Sequence, residues 1–188
     1  MSARPIILAL LLFCIAQWSW AASPTRAIHA EEFKRILKSH QGELVIVNFW
    51  ATWCAPCLKE IPDLLRLQQE NAPAGVQLIG VAVDEPTPDS AEVERFRSRY
   101  FPTFRTYARA GNEMDELAQV VDSTWNEVVP TTYLLDREGR VAKRIQGKKT
   151  LEEFRLALEA VSRRQGARAG DESSSDRRSP ATLRNAEH

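Results

Sequence analysis

The sequence predicts an α/β fold. Apolar runs of strand length alternate with segments of helical periodicity, and a Cys-x-x-Cys pair stands where one of those strands gives way to a helix. The runs are Leu44–Trp50 (LVIVNFW), Val76–Val83 (VQLIGVAV) and the Thr/Tyr/Leu stretch after Pro130. β-Branched and aromatic residues dominate each of them, which suits a pleated, buried surface.

Taken in order, the chain opens with Arg4 as the lone charge before the apolar run Ile6–Ala16. That run falls short of the roughly 20 residues a bilayer span needs. Ser19, Ala21 and Ala22 then supply small residues, so 1–21 reads as an export signal cleaved after Ala21. The competing reading is an uncleaved anchor, with Trp18 and Trp20 carrying the apolar stretch to the membrane interface. The location that follows is periplasmic or otherwise exported, tethered if the N-terminus is kept. Residues 22–28 form a linker with room for a short strand. His29–His40 places Phe33, Ile36 and Leu37 on one helical face, and Gln41-Gly42 ends that helix.

The strand Leu44–Trp50 leads into a helix from Cys54 to about Glu70, with Ile61, Leu64, Leu65 and Gln68 on its buried side and Pro62 as a kink point. Asn71–Gly75 is a turn, and Val76–Val83 the next strand. The loop Asp84–Asp89 stands at that strand's C-terminal end, where open α/β sheets carry function. Ser90–Tyr100 reads as a helix capped by Ser90, with Glu94 to Ser98 exposed. Phe101–Tyr107 reads as a short edge strand, since an edge or a strand start tolerates its proline. Gly111–Val121 is a turn plus helix.

A hairpin follows: a strand after Pro130, the turn Asp136–Arg140 with Gly139 for positive φ, and Val141–Ile145 returning. Thr150–Val161 is a closing helix with Leu151, Phe154, Leu158 and Val161 inward, and Thr150 with Glu153 fits a capping box. The domain therefore spans 29–162. Hydrophobicity collapses beyond it, and 163–188 reads as a disordered tail.

The chain has 188 residues, 44% of them apolar, and a formal net charge of zero. That suffices for one core, and no basic stripe points to a nucleic-acid partner. There are three cysteines. Cys14 lies in the signal, with bulky Phe13 where a lipidation site wants a small residue, so Cys54 and Cys57 are the pair of the exported chain. At i and i+3 they share a helical face, at a separation a disulfide can bridge. Closing so short a loop constrains the unfolded chain little, so the bridge is a poor staple and a better redox switch. Cys54, at the helix start, meets the positive end of the helix dipole and unpaired N–H groups, which favour its thiolate. Cys54 is thus the nucleophile and Cys57 the resolving thiol. The three histidines, His29, His40 and His188, are not spaced for zinc. Leu58 stands where haem attachment would need histidine.

Asn48-Phe49-Trp50-Ala51-Thr52-Trp53-Cys54-Ala55-Pro56-Cys57, then Lys59-Glu60-Ile61-Pro62, then Val129-Pro130-Thr131-Thr132-Tyr133-Leu134-Leu135-Asp136, resemble the TlpA/ResA-like thiol–disulfide oxidoreductases of the thioredoxin fold. The resemblance spans about Glu43 to Val161. It implies a central mixed β-sheet with helices on both faces and a family-type insertion, Asp84–Trp125, before the cis-proline strand. It implies a cis bond at Pro130, placed against the cysteines, with the Val129 backbone pairing to an extended substrate and Trp53 at the rim. Glu60, one turn past the second cysteine, matches the glutamate that tunes the thiols in ResA-like members. Thioredoxin itself uses an aspartate on the preceding strand, where this chain has Asn48, so the acid–base role moves to Glu60. Family members usually open with a β-hairpin; here the helix His29–His40 stands instead.

The function expected is exported thiol–disulfide exchange, reducing protein disulfides in cytochrome c maturation or general thiol reduction. A membrane dithiol is the expected donor, with no cofactor but the Cys54–Cys57 disulfide, no metal, and a monomeric protein. The alternative is a copper-handling or adaptor module without turnover, using the dithiol as soft ligands. A peroxidase of related fold would need a lone peroxidatic cysteine near an arginine, which this pair does not offer.

Overall fold

The computed structural model describes residues 23–87, 90–111 and 114–176. The signal or anchor at 1–21 and the end of the tail lie outside them. Six strands form one mixed sheet in the order β1-β4-β3-β2-β5-β6. They are β1 (Ala27–Ile28), β2 (Leu44–Trp50), β3 (Val76–Ala82), β4 (Thr106–Arg109), β5 (Thr131–Leu135) and β6 (Val141–Gln146). The helices are α1 (Ala30–Ser39), α2 (Ala55–Asn71), α3 (Ala91–Tyr100), α4 (Met114–Gln119) and α5 (Leu151–Asp176).

β2, the central strand, runs parallel to β3 and antiparallel to β5. All seven of its residues are buried, as the unbroken apolar run predicts for a strand covered on both faces. Side chains alternate across it. Leu44, Ile46 and Trp50 join Ile61, Leu64, Leu67, Phe154 and Leu158 beneath α2 and α5. Val45, Val47 and Phe49 join Phe33, Ile36, Leu117 and Tyr133 beneath α1 and α4. Asn48 is an even-numbered residue of this strand and so falls on the α2 face, a polar side chain fully shut from water.

Several local expectations change. In α2 the buried positions include Leu67, not Gln68, which is only half-buried. Phe101–Phe104 is a turn, closed by the Phe104 N–H on the Phe101 carbonyl at 2.9 Å, so β4 begins at Thr106. β4 is not an edge either, because β1 pairs with it through Ala27–Ala108 and Ile28–Arg109. β4 comes close to β3: a Cβ on Gly80 would lie 2.4 Å from the Phe104 ring and 2.6 Å from Thr106 Oγ1. Phe104 and Thr106 use that space to meet Trp50, whose indole N–H donates to Thr106 Oγ1 at 2.9 Å.

Ser90 stands at the N-cap of α3, yet its φ of 54° is left-handed and its hydroxyl makes no cap bond. The face Glu94–Ser98 is not open to solvent throughout. Arg97 is buried and gives Glu94 two hydrogen bonds, of 3.0 and 2.8 Å. The capping box at α5 forms as its residues suggest, with the Glu153 N–H on Thr150 Oγ1 at 3.3 Å and Glu153 accepting from the Thr150 N–H at 2.8 Å. That helix, however, runs on to Asp176 where the loss of apolar residues predicts disorder from 163. Propagation costs little once a helix is nucleated, and the Arg, Gln and Ala residues of 163–169 favour it, while the Gly, Ser and Asp residues that follow do not. Arg168 also approaches Asp136 in the hairpin turn at 3.9 Å.

Candidate active site

β2 delivers the redox motif. After Trp50 the chain turns through Ala51, Thr52 and Trp53, and Cys54 becomes the N-cap of α2. Cys54 and Cys57 are joined by a disulfide with Cα atoms 5.3 Å apart. The Cys57 N–H points at Cys54 Sγ from 3.3 Å. This is one of the orphan donors of the helix start, aimed where a thiolate would form. Pro56 sits in the first turn, where it removes no helical hydrogen bond. Cys54 is 4% exposed and Cys57 1%, so the first cysteine lies nearer the surface.

Glu60 is 1% exposed. Its Oε1 accepts from Asn48 Nδ2 at 3.2 Å and from the Thr132 hydroxyl at 3.4 Å, and its Oε2 accepts from the Lys149 N–H at 2.9 Å. All three donors are neutral. Burial outweighs them, and the carboxyl is pushed up to about 7. One turn along the helix from Cys57, it therefore exchanges a proton near neutral pH, as general acid–base work requires. Asn48 also donates to Thr132 Oγ1 at 2.9 Å, so the strand position that cannot titrate holds the one that can.

The Val129–Pro130 peptide is cis. Pro130 is buried and Val129 half-buried at the head of β5. Thr131 pairs with Phe49, so that head lies beside the C-terminal end of β2, where the cysteine turn begins. Trp53 is 68% exposed, a large indole held out of the core one residue before Cys54. Trp50 is fully buried, and Lys59 lies at the surface.

Two site residues escape sequence reading. Asp84 is buried just beyond β3, and both its carboxylate oxygens accept from the Thr52 N–H at 3.1 Å. The Thr52 hydroxyl donates to it as well. This ties the turn before Cys54 to the end of β3. Thr132, from β5, completes the Glu60 cradle. The position of Asp84 at a strand's C-terminal end is the one signal that pointed toward it.

Comparison with known proteins gives a consistent result. The AhpC/TSA family pattern matches residues 24–144. The thiol-disulfide oxidoreductase ResA of Geobacillus thermodenitrificans is 34% identical over 125 residues, covering 66% of this chain and 67% of that protein. ResA of Bacillus thuringiensis subsp. konkukian is 31% identical over 140 residues, covering 74% and 76%. Among solved structures, a thioredoxin-family thiol:disulfide interchange protein from Chlorobium tepidum TLS superposes with a TM-score of 0.55 at 26% identity, covering 74% of this chain and 97% of that one. StoA from Bacillus subtilis does so at 0.50 and 26%, covering 61% and 81%.

Proposed function

This chain belongs to the AhpC/TSA family of thioredoxin-fold proteins and is a thiol–disulfide oxidoreductase of the ResA type, and on that premise we propose that it is an exported reductant of protein disulfides. Cys54, as thiolate, attacks one sulfur of a substrate disulfide. A mixed disulfide forms and the second substrate sulfur leaves as a thiolate. Cys57 then attacks Cys54, the mixed bond breaks, and the substrate departs with both sulfurs reduced. Two electrons have passed to the substrate, and the protein is left as the Cys54–Cys57 disulfide. A membrane dithiol donor resets it, and no dissolved cofactor takes part. Trp53, Val129 and Pro130 seat the substrate segment. The sequence of residues 1–21 supports export, and cytochrome c maturation or general thiol reduction is the setting.

The observation that carries the reducing direction is the burial of Glu60. A strongly oxidising dithiol is one whose reduced form is stabilised. A carboxylate carrying charge above about pH 7, one turn from Cys57, disfavours a second negative charge on sulfur. It thereby opposes that stabilisation. The pair should show a reduction potential nearer thioredoxin's, about −270 mV, than DsbA's, about −120 mV. A value at the oxidising end overturns the direction. Cys54→Ser should abolish reduction of insulin disulfides, and a Cys57→Ala variant should accumulate mixed disulfides with its partners. Turnover retained without Cys54 removes it from its role.

A further inference from the structure

Beside the redox turn lies a groove of about 640 Å³. One wall is Trp53, the residue before Cys54, and the apolar part of its lining is completed by Val83, Met114 and Trp125. Glu85, Asp115, Glu116 and Glu127 line it too, against one guanidinium, that of Arg109. Arg109 is already engaged: its Nε donates to the Asp84 carbonyl at 2.8 Å and its Nη2 meets Glu85 at 2.8 Å. The groove is thus a partly apolar trough with an excess of negative charge, walled by Trp53, the residue before Cys54.

We propose that this groove receives the chain segment flanking a substrate's disulfide and selects segments that carry lysine or arginine. The proposal rests on the thiol-exchange reading above and names the substrate class for it. Three observations converge on it. Trp53 is adjacent to Cys54 in the chain and 68% exposed, which puts one wall of the groove within the surface that a segment docked at Cys54 would cover. Indole faces at Trp53 and Trp125 suit the stems and heads of lysine and arginine. The carboxylates supply a field that draws cations and repels acidic chains before contact, which acts mainly on the rate of encounter. The same loop ties recognition to chemistry: Asp84 holds Thr52 before the cysteines while its neighbour Glu85 lines the groove.

The test uses the full chain in its dithiol form and three disulfide-linked peptides of one backbone, flanked by Lys/Arg, by Ser, or by Asp/Glu. Second-order rate constants for oxidation of the protein are followed by tryptophan fluorescence at low and high salt. The Lys/Arg peptide should react about tenfold faster than the Ser peptide at low salt, and the Asp/Glu peptide slower, with the ratios closing toward one as salt screens the field. In Glu116→Gln/Glu127→Gln the Lys/Arg to Ser ratio, taken within the variant, should fall to about twofold. Equal rates at low salt overturn the proposal. So does a preference that survives both salt and the double substitution, or a neutral peptide that reacts fastest. Failure of all three peptides to oxidise the dithiol strikes instead at the thiol-exchange reading on which the groove depends.

Discussion

Glu60 on α2 and Glu94 on α3 are carboxylates drawn in among packed side chains on the same face of the sheet, and the protein treats them in opposite ways. Glu94 is met by the guanidinium of Arg97, with the Thr25 N–H adding a hydrogen bond of 2.7 Å. The Arg97 hydrogen bonds hold its carboxyl well below the usual carboxylate range, outweighing partial burial. Glu60 receives hydrogen bonds from an amide, a hydroxyl and a backbone N–H, with a smaller pull from the Lys148 charge, and burial outweighs them all. A charged partner turns a partly buried acid into a fixed structural tie. Neutral donors leave it able to gain and lose a proton at working pH, which is what a site beside two thiols needs.

The two regions should therefore respond to pH with opposite sign. Glu60 has a folded pKa of about 7 against an ordinary value of 4.5, so the folded protein holds its proton through that window. Its contribution to stability is greatest below the ordinary value, falls as pH rises toward 7, and is level above. Comparing wild type with Glu60→Gln by urea unfolding across pH should show their difference change by about 3 kcal/mol between about pH 4 and pH 8. A flat difference would return Glu60 to the class of ordinary solvated acids.

Glu94 works the other way. Its stabilisation is present above 4.5 and is lost as pH falls through its lowered value. Glu94→Gln leaves Arg97 buried without its counter-charge, and should cost about 2 kcal/mol at neutral pH, between the values for exposed and fully buried pairs. The loss should shrink in acid. A neutral substitution would show the pair to be decorative.

The smallest effect separates function from structure. Alkylation of the reduced cysteines, followed against pH, should shift its midpoint down by roughly one unit in Glu60→Gln, because a nearby negative charge has gone. Glu94→Gln should leave that midpoint where it is. Equal shifts in both variants would mean that the thiols sense stability and not the Glu60 charge.

Much of this was legible in the residues. Strands β2, β3 and β5 stand where unbroken apolar runs place them, and the capping box at Thr150 and Glu153 forms between residues three apart. The thioredoxin fold and the family follow from motifs that are likewise contiguous. The errors lie where tertiary packing, a short pairing strand or helix propagation overrides the local pattern. Arg97 looks like a surface charge until Glu94 and the Pro102 carbonyl, 2.8 Å from its Nη1, close around it. β4 looks like an edge until the two residues of β1 reach it. Residues 163–176 carry a helix that apolar pattern alone does not predict, because a nucleated helix extends at little cost.

By itself the sequence determined the redox pair, since two cysteines at i and i+3 on a helix start are joined by local geometry alone. It determined the sheet's central strands as well, since burial on both faces demands continuous apolar residues. What only the tertiary structure decided is the state of the groups around the sulfurs. Glu60 owes its raised pKa to burial beneath distant elements, which outweighs the lowering hydrogen bonds from Thr132 and Lys149, 72 and 89 positions away in the chain. Asp84 holds Thr52 across 32. Desolvation and hydrogen bonding act through space, so no window of sequence contains them.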